Sequence, residues 1–151
     1  MFEATRGVNT HKGEIFSLGL LCGCAGWQLG RGEALSAEKL TALTAEMCHG
    51  LCKKELGSLK KDEELQTKGE RVYRRYGCTG IRGEAESGFR TVMEVSLPVF
   101  RKLMAKDVPV NDALVQTFLP LIARTADTNI LSRHNMETAE YACARAREAG
   151  K

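Results

Sequence analysis

Several features that mark specialised protein classes are scarce in this chain of 151 residues. Aromatic residues make up only 6% of it, which disfavours base-stacking platforms and most β-sandwiches. There are three prolines, so proline-rich linkers are absent. The formal net charge is +3, from 22 basic and 19 acidic residues. A balance this even gives no argument for a nucleic acid partner.

Long apolar runs are also missing. The longest uncharged run covers residues 15–30 and is interrupted by Ser17, Gln28 and several glycines. It is shorter than the roughly 20 apolar residues that a membrane-spanning helix needs. Residues 1–13 contain charged side chains and no apolar stretch, so no signal peptide is predicted. We therefore expect no membrane partner, and a cytoplasmic protein whose six cysteines remain thiols.

The cysteines lack the spacing of a zinc site. Cys22 and Cys24 are two positions apart, and Cys48 and Cys52 are four apart, so no C-x₂-C pair exists. His49 follows Cys48 directly, and adjacent helical residues face different directions. Buried thiols are therefore the preferred interpretation. A helical metal- or thiol-binding domain remains as an alternative.

Apolar residues recur with the helical period over most of the chain, and no segment of four or more residues alternates like a strand. We predict an all-α fold, a single helical domain over residues 1–151 with about six helices. The helix that begins at Lys12 is apolar almost all round, which predicts burial on most sides. Ser36, Asp62 and Asn111 are the expected N-caps of later helices.

Two segments without a helical period interrupt this pattern. Residues 77–88 contain four glycines, which predicts a long glycine-rich loop. Residues 125–135 are predicted to form a polar connection before the last helix.

Polar residues that could carry chemistry concentrate in three places. The first is the segment 7–13, with Asn9, Thr10, His11, Lys12 and Gly13 directly before the apolar helix. Backbone N–H groups and the helix dipole favour an anion such as phosphate there. No strand precedes it and the Gly-Lys-Ser/Thr order is missing, so it is not a Walker loop. The alternative is a helix cap with a surface lysine.

The other two places carry carboxylates. Arg82 with Glu84 and Glu86 could provide a phosphate fork and an acid, base or Mg²⁺ ligand. Asp127 and Asn129 could hold Mg²⁺ or a ribose hydroxyl group. The alternatives are a solvated charged loop for the former and ordinary turn chemistry for the latter.

These blocks also carry a resemblance. The segment 1–19, with Asn9-Thr10-His11-Lys12-Gly13 inside it, resembles the signature of the triphosphoribosyl-dephospho-CoA synthase family. Further blocks that fit the family in order and spacing are residues 80–85 with 88–89, 97–98, 111–114 and 127–129. The resemblance extends from Met1 to about Arg133.

The resemblance implies a transferase that uses ATP as a ribosyl donor. ATP and 3′-dephospho-CoA would give 2′-(5″-triphosphoribosyl)-3′-dephospho-CoA and adenine. This product is the precursor of the prosthetic group of the acyl carrier proteins of citrate lyase and malonate decarboxylase. Glycosyl transfer of this kind calls for a carboxylate near the reacting centre and for cations around the triphosphate.

The resemblance also suggests a role for each candidate. The expected catalytic residues are Glu84, Asp127 and His11, and the two carboxylates would also bind Mg²⁺. The expected ligands of the triphosphate and ribose are Asn9, Thr10, Lys12, Gly13, Arg82 and Asn129.

The family's chain is longer than this one and has conserved blocks on both sides that are missing here. We therefore expect this sequence to be the central part of the family's domain. An alternative function is a truncated, catalytically incompetent helical module that binds a nucleotide. Missing helices would expose apolar faces, so a homo-oligomer is a further expectation.

Overall fold

A computed structural model of the chain describes residues 3, 4, 6, 11–59, 65 and 67–150. This part is helical and contains no strand, which confirms the all-α class. The helices are α1 (Lys12–Gly30), α2 (Ala37–Met47), α3 (Leu51–Glu55), α4 (Lys68–Tyr76), α5 (Ile81–Glu86), a π-helical segment (Val92–Ser96) that continues into α6 (Leu97–Met104), α7 (Val110–Ile122), α8 (Thr128–Arg133) and α9 (Met136–Ala149).

Side-chain caps fix several helix starts. The hydroxyl of Ser36 accepts a hydrogen bond from the Lys39 N–H at 3.1 Å, which confirms Ser36 as the cap of α2. Asn111 was the wrong prediction for α7, which follows Pro109 and begins at Val110. The φ of Pro109, −51°, already lies in the range of a helix start, and its carbonyl accepts the Ala113 N–H. Asp62 lies outside the described residues.

The prediction of a glycine-rich loop over residues 77–88 is wrong, because helix α5 occupies the centre of this segment. Ile81, Ala85 and Phe89 follow one another at intervals of four, and all three pack into one apolar cluster. Their helical period was hidden by the glycines around them. Gly77 ends α4 at a φ of +72°, so it belongs to the preceding helix rather than to a loop.

The structure also separates more helices than the predicted six. Residues 36–57 contain two helices instead of one. The backbone changes direction at Gly50, which has a φ of +77°, and α3 begins after it. Helix α8 forms within the segment predicted as a polar connection, because Leu131 gives it a buried apolar contact.

Two apolar clusters lie on either side of residues 77–80. The first consists of Cys48, Ala85 and Phe89, packed against Phe16, Leu20, Leu21, Leu51 and Ile81. The second consists of Val72, Leu131 and Ala139, packed against Tyr76, Cys78, Ile130 and Met136. The chain passes from the second cluster at Cys78 to the first at Ile81, so this short segment joins them.

Helix α1 departs from the prediction that it is buried on most sides. Ile15 is 61% exposed and Leu29 is 59% exposed, on a face that they share with Gly19 and Gly26. A Cβ at either glycine would meet nothing within 4 Å in the described part of the chain. The apolar pattern thus covers one packed face and one open face. No described helix combines the length and the hydropathy needed to cross a bilayer.

Candidate functional site

The starts of three helices meet at one place in the fold. A Cβ at Gly13, in the first turn of α1, would lie 4.0 Å from Cγ2 of Ile81, the first residue of α5. A Cβ at Gly80 would lie 3.2 Å from Cγ2 of Thr128, the first residue of α8. We call residues 11–13, 80–84 and 127–129 the junction. All three candidate blocks are therefore neighbours, although Asn9 and Thr10 lie outside the described residues.

Gly80 makes one of these contacts possible. Its backbone has a φ of +57° and a ψ of −140°, a conformation that is costly for residues with a side chain. The close contact with Thr128 leaves little room for a side chain. A glycine is thus needed at this position both by the backbone and by the neighbouring helix.

Gly83 is required for a different reason. It lies inside α5 directly against the side chain of Thr79, and a Cβ there would lie 2.8 Å from the Thr79 Cβ. That distance is below ordinary van der Waals contact, so the turn before α5 packs on the helix only because position 83 is bare.

The start of α1 is open to solvent. Nδ1 of His11 lies 2.8 Å from Oε2 of Glu14, and both side chains are exposed. His11 is the N-cap residue and makes no side-chain cap hydrogen bond. Lys12, the next residue, is exposed as well. The charged side chains in the first turn of α1 are therefore in contact with solvent.

The charged residues of α5 separate onto two faces. Arg82 and Glu86 are four positions apart and both contact α3. Nε of Arg82 donates to Oε2 of Glu55 at 2.5 Å. Glu84 lies between them in sequence and points elsewhere: its carboxylate accepts from the Thr91 hydroxyl at 2.5 Å and from the Thr91 N–H at 3.3 Å. Only Arg82 and Glu84 thus remain candidates for chemistry.

Glu86 instead has a structural role. Its carboxylate accepts hydrogen bonds from the N–H groups of Gly50 at 2.8 Å and Cys52 at 3.0 Å. These donors belong to the first turn of α3, which lacks a side-chain cap of its own. Glu86 therefore caps α3 from a neighbouring helix.

This cap predicts a pH dependence of stability. The Cys52 thiol, then the N–H groups of Cys52 and Gly50, hold the pKa of Glu86 below its usual value. A carboxyl whose pKa is lowered by folding stabilises the protein above the ordinary glutamate pKa of about 4.3. That stabilisation is lost as the pH falls through the lowered value. We expect the urea midpoint to fall on acidification below about pH 4.3, and Glu86→Gln to flatten this dependence.

A matched control is Glu46→Gln, an exposed glutamate on α2 without an ion pair in the described part of the chain. Its acid limb should match that of the wild-type chain. A Glu86→Gln variant with an unchanged acid limb would contradict the capping role.

Asp127 and Asn129 occupy the start of α8. Oδ1 of Asp127 accepts from the N–H of Asn129 at 2.7 Å and from that of Ile130 at 3.3 Å. This is an N-cap, so the ordinary turn chemistry is present. Oδ2 of Asp127 makes no hydrogen bond with the described residues, and the Asn129 side chain is exposed. One carboxylate oxygen and one amide are thus accessible at the junction.

Cys48 and Cys52 are poorly suited to act as nucleophiles. Burial raises the pKa of Cys48. Burial, and then the hydrogen bond with the Glu86 carboxylate, raises the pKa of Cys52 to about 11. Both are therefore protonated at neutral pH. All six cysteines are free thiols. Within the described ranges, no three His, Cys, Asp or Glu side chains are grouped so that they could hold a metal ion.

Three residues at this place escaped the sequence analysis: Glu55, Gly69 and Thr91. Glu55 precedes its partner Arg82 by 27 positions and belongs to no motif. Gly69 lies under the Arg82 guanidinium, where a Cβ would be 3.3 Å from Nη1. For Glu55, the only signal in the sequence was its negative charge, which indicates that an ion pair is possible but does not identify the partner residue.

The comparisons assign the chain first to a class and then to a family. The family model that matches is one of a nucleotide-dependent transferase, and it covers residues 1–151. The chain belongs to this family, CitG, the ATP:dephospho-CoA triphosphoribosyl transferases. The resemblance drawn from the sequence blocks is confirmed.

Curated relatives agree with this assignment. A probable 2-(5″-triphosphoribosyl)-3′-dephosphocoenzyme-A synthase of Pectobacterium carotovorum is 46% identical over 137 residues, which are 91% of this chain and 44% of the relative. The synthase of Klebsiella pneumoniae is 46% identical over 133 residues, 88% of this chain and 43% of the relative. The chain thus spans less than half the length of these relatives. No solved structure matches it.

Proposed function

We propose that this chain carries the central part of a site that transfers the 5-triphosphoribosyl group of ATP to the 2′-hydroxyl of 3′-dephospho-CoA and releases adenine. The observation that supports this is the junction. Blocks 11–13, 80–84 and 127–129, which are far apart in sequence and carry the family resemblance, are neighbours in the fold. The product is the precursor of the acyl carrier prosthetic group of citrate lyase or malonate decarboxylase.

The reaction exchanges one bond at the anomeric carbon of the ATP ribose. The bond from C1″ to adenine N9 breaks and a bond from C1″ to the 2′-oxygen of dephospho-CoA forms. The proton of the 2′-hydroxyl goes to a carboxylate, adenine takes a proton from a protein acid and leaves as the neutral base, and the triphosphate stays intact. Glu84 and Asp127 are the candidate bases: the Glu84 carboxylate accepts hydrogen bonds from Thr91, and Oδ2 of Asp127 makes no hydrogen bond with the described residues.

Cations and polar groups would bind the rest of ATP. Lys12 and His11 lie at the exposed start of α1, and Arg82 presents a guanidinium group, which suits phosphate oxygens. His11 can also act as an acid toward the leaving adenine. The remaining proposed ligands are Asn9, Thr10 and Gly13 for the triphosphate and Asn129 for a ribose hydroxyl.

Mg²⁺ is the expected companion of the triphosphate. This ion takes few protein ligands and relies on phosphate oxygens and water for the others. The proposed protein ligands are Glu84 and Asp127, whose Oδ2 makes no hydrogen bond with the described residues; a cage of three or more protein ligands is not found in the described ranges. Mg²⁺ held there would neutralise charge on the triphosphate.

A second candidate is a helical module that binds the nucleotide without turning it over, for which the exposed charged residues at the start of α1 would provide contacts. Both candidates are compatible with a cytoplasmic location, which the six free thiols support. The open apolar face of α1 supports a homo-oligomer as a further proposal.

Incubation of the purified chain with ATP, Mg²⁺ and 3′-dephospho-CoA tests the proposal, with adenine measured by chromatography. Adenine release that requires dephospho-CoA supports the transferase. A rise in melting temperature with ATP and Mg²⁺, without adenine, supports the binding module. If neither adenine release nor a rise in melting temperature is observed, both candidates are contradicted.

A further inference from the structure

We propose that Glu55 and Gly69 are positioning residues that hold the Arg82 guanidinium for a polyphosphate ligand. The inference rests on the proposed function for the class of ligand, and on contacts within the described residues for the geometry. Neither Glu55 nor Gly69 lies in a block of the family resemblance.

Among the described residues, Arg82 is hydrogen-bonded along one edge of its guanidinium group. Its side chain is 19% exposed, and Nε donates to Oε2 of Glu55 at 2.5 Å. Nη1 and Nη2 make no hydrogen bond with the described residues. Donors on a mostly buried side chain normally find acceptors. A guanidinium group that is fixed at Nε keeps its four terminal N–H donors for a planar, two-point contact with phosphate oxygens.

Helix α3 supports this arrangement at both of its ends. Glu86 of α5 accepts hydrogen bonds from the first turn of α3, and Glu55, the last residue of α3, accepts from Arg82 of α5. These hydrogen bonds at the two ends of α3 fix its position along α5 and its rotation about its own axis. Glu55 therefore lies at a fixed place beside Arg82, although α3 is short.

Gly69 lies close to the guanidinium group of Arg82 on another side. In the first turn of α4, a Cβ at this position would lie 3.3 Å from Nη1 of Arg82. This is tighter than ordinary van der Waals contact, so an alanine would displace the terminal nitrogens by a few tenths of an ångström. The absence of a side chain at position 69 thus lets the guanidinium group of Arg82 approach α4 closely.

The negative charge of Glu55 allows a positioning role to be distinguished from simple electrostatic repulsion. A carboxylate beside a polyanion site repels the ligand, so its simple removal should strengthen binding. If Glu55 holds Arg82 in place, its removal should weaken binding instead. The sign of the effect therefore separates a positioning residue from a nearby charge.

The test measures binding of inorganic tripolyphosphate by calorimetry to the wild-type chain and to Glu55→Gln. We expect affinity to fall about tenfold in the variant, because a weaker hydrogen bond to a neutral amide replaces the charge-assisted one that holds Arg82. Glu55→Asp should restore part of it. Glu46→Gln, which removes an equal charge from α2, should leave affinity unchanged or slightly raised. Unchanged or tighter binding by Glu55→Gln would overturn the inference.

Gly69→Ala supplies an independent arm. Alanine has the higher helix propensity, so the melting temperature should rise. Tripolyphosphate affinity should nevertheless fall, because the guanidinium is displaced. A rise in both quantities would contradict the role of Gly69.

Failure of the proposed function gives a different result. If wild-type chain and Arg82→Ala both fail to bind tripolyphosphate, the ligand assignment is wrong for Arg82. The Nε–H resonance of Arg82, followed by NMR, still decides the geometry. It should shift when Glu55→Gln is introduced in a folded chain, and an unmoved resonance would overturn the contact itself.

Discussion

Gly88→Ala is expected to lower the free energy of unfolding by about 3 kcal/mol, the sum of left-handed backbone strain and overpacking. Gly88 has a φ of +69°, and a Cβ there would lie 2.6 Å from the carbonyl oxygen of Thr41. That oxygen belongs to the backbone of α2, so it cannot move aside without the helix. Urea denaturation followed by far-UV circular dichroism measures the loss.

Gly26→Ala is the matched control. Gly26 lies in the middle of α1, and a Cβ there would meet nothing within 4 Å among the described residues. This substitution should raise the free energy of unfolding by up to about 1 kcal/mol through helix propensity. Equal stability of the two variants would mean that α2 does not pack on the turn after α5 as described.

Glu84→Gln is expected to reduce adenine release at least about 100-fold, the lower range for loss of a general base. The prediction depends on the proposed transfer reaction. Glutamine keeps one oxygen, which can accept the hydrogen bond of the Thr91 hydroxyl, but it cannot take the proton of the 2′-hydroxyl or neutralise charge. Initial rates of adenine formation at saturating ATP and dephospho-CoA give the measurement, with far-UV circular dichroism as the check on folding.

Thr91→Val separates the two possible roles of Glu84. It removes the hydroxyl that donates to Oε1 and leaves the carboxylate in place. We expect less than about a tenfold loss, since only one positioning hydrogen bond is removed. If Thr91→Val loses as much activity as Glu84→Gln, then Glu84 serves to hold Thr91 and is not the base. In that case Asp127 becomes the remaining candidate.

Local chemistry was sufficient to predict much of the fold. The apolar period located α1, α2, α4, α7 and α9, and Ser36 capped α2 as expected. The same rules missed α5, because glycines at 80, 83 and 88 disguise a helix whose apolar residues recur every fourth position. In that segment the glycines serve close approaches to Thr128, Thr79 and Thr41, which only the assembled fold creates.

The site was predictable as a set of residues and unpredictable as an arrangement. The blocks at His11, Arg82 and Asp127 were recognised singly, but their meeting depends on how α1, α5 and α8 pack. The sequence offered Glu84 and Glu86 as equivalent carboxylates. The structure distinguishes them, because a two-residue shift along a helix moves a side chain to another face.

The cap that Glu86 places on α3 also links the opening motions of two helices. A five-residue helix cannot persist by itself in water, and the carboxylate that completes α3 lies 36 positions beyond Gly50 in the chain. When α5 detaches, the amides of Gly50 and Cys52 lose their acceptor, and α3 unwinds with it. We therefore expect these two helices to form one cooperative unit in native-state hydrogen exchange. The exchange rates of two amides outside the junction report how often the helix that carries Arg82 and Glu84 comes loose.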